Sequence, residues 1–202
     1  MKIYGYGEDA LTYWALTNRI DEILDIYNDT TVPDNLIIFF RPSFGRRGGV
    51  SSSQFGEFDF ILLTDHRVIL GESKWDRSSE MIRGGSIELR SEQLLRHKVF
   101  QQYIAYSPCG NYQSYEQFLA VVADSWEGSK PLAPSGSLLS VNIEQVLKTI
   151  KLKYNSRPEV ENALLYLFNG RDGEPQLMEA PEDFRLIMID YGDSSFGNYI
   201  EM

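Results

Sequence analysis

The chain is poor in the residues that staple small proteins or hold soft metals: one cysteine and two histidines among 202 residues. Cys109 has no partner for an internal disulfide, and His66 and His97 beside it do not make a zinc site of Cys/His spacing. Thiol redox chemistry and zinc fingers are excluded. Apolar runs such as Leu36 to Phe40 fall far below the roughly 20 residues of a membrane span, and Met1 to Asp9 lacks the apolar stretch of a signal peptide. A soluble cytoplasmic protein with no membrane partner is the expectation. No repeat and no low-complexity tract is visible, which removes solenoids and propellers.

Positive charge is also scarce. Nineteen Lys and Arg against 29 Asp and Glu give a net charge of −10, which excludes a chain whose whole surface grips nucleic acid. The deficit is uneven, however. Residues 41 to 98 hold ten basic and eight acidic residues, a net of +2, so the remainder carries −12.

What the chain does have is 43% hydrophobic and 13% aromatic residues, ample for one packed core. Residues 8 to 27 repeat apolar side chains at three- and four-residue intervals and predict an amphipathic helix. Leu36 to Arg41, Phe58 to Leu63 and Arg67 to Glu72 are β-prone, the last two joined by the turn Thr64-Asp65-His66. A loop with Gly84-Gly85 follows, then a helix from Ser91 to Tyr106. Gln117 to Asp124 reads as a buried fourth strand and Leu138 to Val141 as a short strand. A helix spans Ile143 to Tyr154, another has Pro158 in its first turn and Gly170 past its end, and Phe184 to Tyr191 is a last strand. The expected class is α/β, or α+β with a mixed sheet: a single domain over 1–202, with a four-stranded core in 8–124 and 125–202 packed on it.

Chemistry concentrates on the two hairpin strands. Asp59 lies on one; Glu72, Ser73 and Lys74 follow on the next. A two-residue step on a strand points Glu72 and Lys74 to the same face, and the hairpin brings Asp59 alongside them. Two carboxylates about 4 Å apart repel by ~4 kcal/mol at an effective dielectric of 20, so the arrangement calls for a proton or a cation. Oxygen ligands select Mg2+ or Mn2+. Such an ion polarises a phosphodiester and acidifies water, while an ammonium beside it offsets transition-state charge.

Phe58-Asp59 followed by Gly71-Glu72-Ser73-Lys74 resembles the PD-(D/E)XK nuclease superfamily, and the helix-strand-strand-strand-helix-strand order is similar to its restriction-endonuclease-like core. Phe58 stands where the family name has proline, a position that takes no part in the reaction. The resemblance covers roughly residues 8 to 124. It implies a metal-dependent nuclease in which Asp59, Glu72 and the Ser73 carbonyl ligate Mg2+ or Mn2+, Lys74 assists the attacking water, and a first-helix acid, Glu8, completes the metal site. Glu57 is a substitute for Glu8. Gln102 and Tyr106 match a short Gln-x-x-x-Tyr element of the recombination-exonuclease branch.

Arg46 and Arg47 in the glycine-flanked loop, with Arg77, Arg83, Arg90, Arg96 and Lys98, are the candidate phosphate contacts. Gln93, His97 and Gln101 form a stripe on the 91–106 helix, read either as substrate contacts or as an exposed face. Residues 45–49 lack the Gly-Lys-Ser/Thr ending of a phosphate loop, which sets aside a nucleotide-binding fold. The partner is therefore nucleic acid, DNA ahead of RNA, and a homodimer would suit duplex cutting. The competing reading is an inactive nuclease-fold module that binds a protein or nucleic acid.

Overall fold

Residues 60–63, 68–70 and 163–167 are apolar at successive positions, so a strand made of them has no face to give to water. The computed structural model describes residues 1–44, 56–77, 82–83, 85–107, 114–128, 131–173, 175 and 179–202. In it these three segments are the middle of a five-stranded mixed sheet. In chain order the elements are β1 (Tyr4–Gly5), α1 (Glu8–Asn18), α2 (Ile20–Ile26), β2 (Ile37–Phe40), β3 (Phe60–Leu63), β4 (Arg67–Trp75), β5 (Ile82–Arg83), β6 (Ser86–Ile87), α3 (Ser91–Tyr106), α4 (Tyr115–Val122), α5 (Leu138–Lys153), β7 (Glu159–Phe168), β8 (Phe184–Asp190), β9 (Ser195–Phe196) and β10 (Tyr199–Glu201). The sheet runs β2-β3-β4-β7-β8; β2, β3 and β4 are antiparallel, and β4, β7 and β8 are parallel.

Each sheet face is covered by helices. Phe60, Leu62, Ile69, Leu165 and Leu167 pack against Leu11, Trp14, Ala15, Ile23 and Leu24 of α1 and α2. Ile61, Leu63, Val68 and Leu70, alternating with them, pack with Phe58 against Val99, Phe100 and Tyr103 of α3, Phe118 of α4 and Ile143, Val146 and Leu147 of α5. The β3–β4 hairpin is closed by Thr64, whose N–H donates to the Arg67 carbonyl at 3.0 Å and whose Oγ1 accepts from the N–H groups of His66 and Arg67. Among the described residues no helix is long and apolar enough to cross a membrane.

Four expected elements differ: the helix expected over residues 8–27 is two, α1 and α2, broken at Arg19, and the other three lie in the second half. Residues 117–124 are not a strand. Ser114 Oγ accepts from the Gln117 N–H and starts α4, which buries Tyr115, Phe118 and Val122, at the i, i+3 and i+7 spacing of a helix face, and leaves Val121 in water. Residues 138–141 are the first turn of α5, capped by Ser137; Leu138 and Val141 are exposed and Leu139 is buried. Residues 159–168 are not a helix but the strand β7, between β4 and β8 in the sheet. Glu159, Ala163 and Leu164 favour helix on their own, yet the run Ala163 to Leu167 is buried on both faces, and that burial outweighs the few tenths of a kcal/mol per residue that propensity offers. The sheet consequently has five strands rather than four, and two of them come from beyond residue 124.

Candidate active site

The register of the hairpin places the site. Gly71 lies opposite Phe60, and a Cβ on Gly71 would sit 2.1 Å from the Phe60 ring; glycine there lets the ring cover the backbone. Asp59, one residue before β3, extends the ladder by donating its N–H to the Gly71 carbonyl at 3.2 Å, while its own carbonyl accepts from the Arg41 N–H. Its side chain is thereby delivered to the next strand, where Oδ2 accepts the Ser73 N–H at 2.7 Å. Phe58 pins this segment from below, buried among Phe44, Phe100 and His97 with the Arg96 guanidinium over its ring.

Glu72 and Lys74 share a face of β4 and, with Asp59, line one cleft of about 470 Å³. Glu8 and Asp9, the first residues of α1, form one wall; Gln93 and Arg96 of α3 form another; Arg41, Glu57 and Arg90 stand around them. Gly7, with φ of +87°, turns the chain into α1 and so puts Glu8 at this position. Lys74 Nζ donates to the Ser73 carbonyl at 2.7 Å and reaches Glu8 Oε1 at 3.5 Å. Arg41, which the sequence reading passed over, pairs with Asp9 and with Glu57, the latter at 3.1 Å.

Glu72 is buried and held from α3 by three donors. Gln93 Nε2 donates to Oε2 at 2.6 Å; Arg96 and His97 Nε2 bond Oε1 at 2.5 and 3.1 Å. Gln93 is itself oriented, since its Oε1 accepts the Arg90 N–H. His97 Nδ1 meets Asn162 Oδ1 at 2.7 Å, and Asn162 is fixed in that orientation by donating Nδ2 to the Asp183 carbonyl and accepting from Gln101. The stripe Gln93, His97, Gln101 is therefore turned towards the sheet: His97 and Gln101 hold each other and Glu72 in place through Asn162, and of the three only Gln93 borders the cleft. Nothing in the local sequence marks Asn162, whose place beside His97 depends on the long connection between β4 and β7.

The two acids are driven apart electrically. Burial raises the pKa of Asp59, the neighbouring Glu72 charge raises it further, and the Ser73 N–H and Lys74 offset only part, leaving it pushed up to about 7. Burial acts on Glu72 in the same direction, but the His97 hydrogen bond and the Arg96 charge outweigh it and hold the carboxyl below its ordinary value. At neutral pH one acid is a fixed carboxylate and the other is poised between its two forms.

Of the seven expected basic residues, four have described side chains. Arg90 and Arg96 border the cleft, but Arg96 is committed to Glu72; Arg77 lies away from it beside Trp75 and Tyr199, and Lys98 beside a second cleft near Asn162. Arg46, Arg47 and the 45–49 loop lie outside the described residues, as do Gly84 and the Arg83 side chain. Among the described residues the cleft is lined by six acids, Glu8, Asp9, Glu57, Asp59, Glu72 and Glu92, and four bases, Arg41, Lys74, Arg90 and Arg96. Among the described residues no three His, Cys, Asp or Glu side chains converge closely enough to cage a metal. No protein-family model, curated protein or solved structure matches the chain.

Proposed function

We propose that the protein is a metal-dependent phosphodiester hydrolase, a nuclease of the PD-(D/E)XK type with a restriction-endonuclease-like arrangement of β2, β3, β4 and β7, acting at the cleft of Asp59, Glu72 and Lys74. The observation that carries the proposal is geometric: two neighbouring strands bring two carboxylates and an ammonium into one cleft, whose described lining has six acids and four bases. Once Asp59 is ionised, the described lining has an excess of two negative charges, which repels a phosphodiester and equals the charge of one divalent cation.

The donors present fit Mg2+ or Mn2+. Asp59 Oδ1 makes no hydrogen bond among the described residues. Glu72 Oε2 has a lone pair beyond its bond to Gln93, and the Ser73 carbonyl has one beyond its bond to Lys74. Glu8 stands at the edge. Two carboxylates and a carbonyl suit an ion that retains much of its water, as magnesium does. When bound, the ion supplies a Lewis acid for the phosphodiester oxygen and an acidified water. Lys74, anchored between Ser73 and Glu8, orients a water and offsets negative charge developing on the phosphorus oxygens. Gln93, Arg96 and His97 keep Glu72 ionised and immobile, and Asp59 is the acid that releases its proton as positive charge enters.

Magnesium-dependent cleavage of synthetic oligonucleotides tests the proposal. The unaltered chain is expected to cleave, EDTA to stop it, and Asp59→Asn and Lys74→Met to lower the rate by about 10²-fold or more. Equal cleavage by either variant refutes the assignment. A second reading has one observation in its favour: three donors from α3 already occupy Glu72, with Arg96 supplying the positive charge. On that reading the chain is an inactive nuclease-fold module, and it binds nucleic acid or a protein without cleavage at any magnesium concentration.

A further inference from the structure

An uncovered aromatic face lies beside the cleft. β1, β10 and β9 form a small sheet in that order, and Tyr4, Tyr6, Phe196 and Tyr199 on and around it are 42, 64, 65 and 52% exposed. The rings are ordered against one another. Tyr4 meets Phe196 at 5.4 Å between centroids, Tyr6 meets Tyr199 at 5.9 Å, and Tyr6 stands edge-on to Trp75 at 6.0 Å. Arg77 is exposed, packs over Trp75 at 5.9 Å and donates to Asn198 Oδ1 at 2.6 Å, with no carboxylate partner among the described residues. The face adjoins the cleft through Tyr6, two residues before Glu8; Trp75 follows Lys74 on β4 with its ring on the opposite face of the sheet.

Rings half in water beside a guanidinium suit the flat faces and phosphates of a nucleic-acid strand. A duplex hides those faces by pairing and stacking; only unpaired bases can lie on side-chain rings. Resting on the nuclease reading for its direction, we infer that this face is a stacking platform for unpaired bases and that the substrate is a single-stranded nucleic acid. A strand with one phosphodiester in the cleft that runs on past Glu8 would lay bases further along on Tyr6 and Tyr199 and a phosphate near Arg77.

Binding in EDTA separates this inference from cleavage. Fluorescence anisotropy with labelled oligothymidylate and oligouridylate is expected to show tighter binding than to a duplex of equal length; the two homopolymers report whether the sugar matters. Tyr6→Ala and Tyr199→Ala are each expected to weaken single-strand binding about ten-fold or more, while Tyr6→Phe and Tyr199→Phe, which keep the ring and lose the hydroxyl, retain it. Circular dichroism checks that each variant is folded. Unchanged affinity in the alanine variants, preference for duplex, or no binding overturns the platform. So does sedimentation showing a dimer that Phe196→Ser dissociates, because the face then belongs to a second copy. Single-strand binding without magnesium-dependent cleavage keeps the platform and removes the nuclease; cleavage with affinity independent of Tyr6 and Tyr199 does the reverse.

Discussion

Asp59→Asn is expected to stabilise the metal-free protein, and to do so only above mildly acidic pH. The carboxyl ionises near 3.8 in the unfolded chain and at about 7 in the fold, where burial and the Glu72 charge oppose ionisation. Between these values the unfolded state has released the proton and the folded state has kept it. Stability therefore falls as pH rises through that window and levels off above 7. Roughly three pH units at 1.36 kcal/mol each bound the cost at ~4 kcal/mol. Asparagine carries no charge but still accepts the Ser73 N–H through Oδ1, so the hydrogen bond at 2.7 Å survives while the cost disappears. Urea unfolding in EDTA from pH 4 to pH 8 measures the difference. The two proteins should coincide near pH 4 and separate progressively to about 2–4 kcal/mol at pH 8, the variant being the more stable. A variant that is less stable at pH 8, or a gap that does not change with pH, refutes the account of Asp59 as a charge held at a cost.

Other expectations follow from neighbouring contacts. Magnesium should raise the melting temperature of the unaltered chain more at pH 8 than at pH 6, because ionised Asp59 is the form that accepts it, and differential scanning fluorimetry should show no such gain in Asp59→Asn. Glu72→Ala strands the Arg96 charge in the interior and should cost about 3–5 kcal/mol in urea unfolding, so loss of cleavage in that variant reports folding as well as chemistry. Gly71→Ala should destabilise by about 1–3 kcal/mol through its collision with the Phe60 ring, read by the same method. Asp29, buried and bonded by Thr31 and Thr64, has hydrogen bonds that outweigh burial and hold its carboxyl below the ordinary value. Its contribution is present above pH 4 and lost as pH falls through the folded value, so Asp29→Asn should be less stable than the unaltered chain at pH 7 and lose less on acidification.

Where local pattern and burial agree, the sequence was sufficient. The turn at Thr64 was legible because polar turn residues mark it, the α3 bounds match although Arg90 rather than Ser91 stands at the N-cap, and the i, i+2 spacing of Glu72 and Lys74 fixes a shared face whatever surrounds it. The apolar segments 118–122 and 163–167 were not, since short apolar runs carry no period that separates helix from strand. Whether one face or two is covered decided them, and that depends on β4 pairing with a strand more than 80 residues away. The same distance hid Asn162. Arg96 was visible as a basic residue, but its task was not: nothing local says that its guanidinium is spent on Glu72 rather than on phosphate.

The most direct measurement is the anomalous scattering of a crystal soaked in manganese. The account predicts one peak in the cleft bordered by Asp59 Oδ1, Glu72 Oε2 and the Ser73 carbonyl, absent from Asp59→Asn crystals treated alike. Manganese elsewhere, or a cleft left without it while Gln93, Arg96 and His97 retain Glu72, contradicts it.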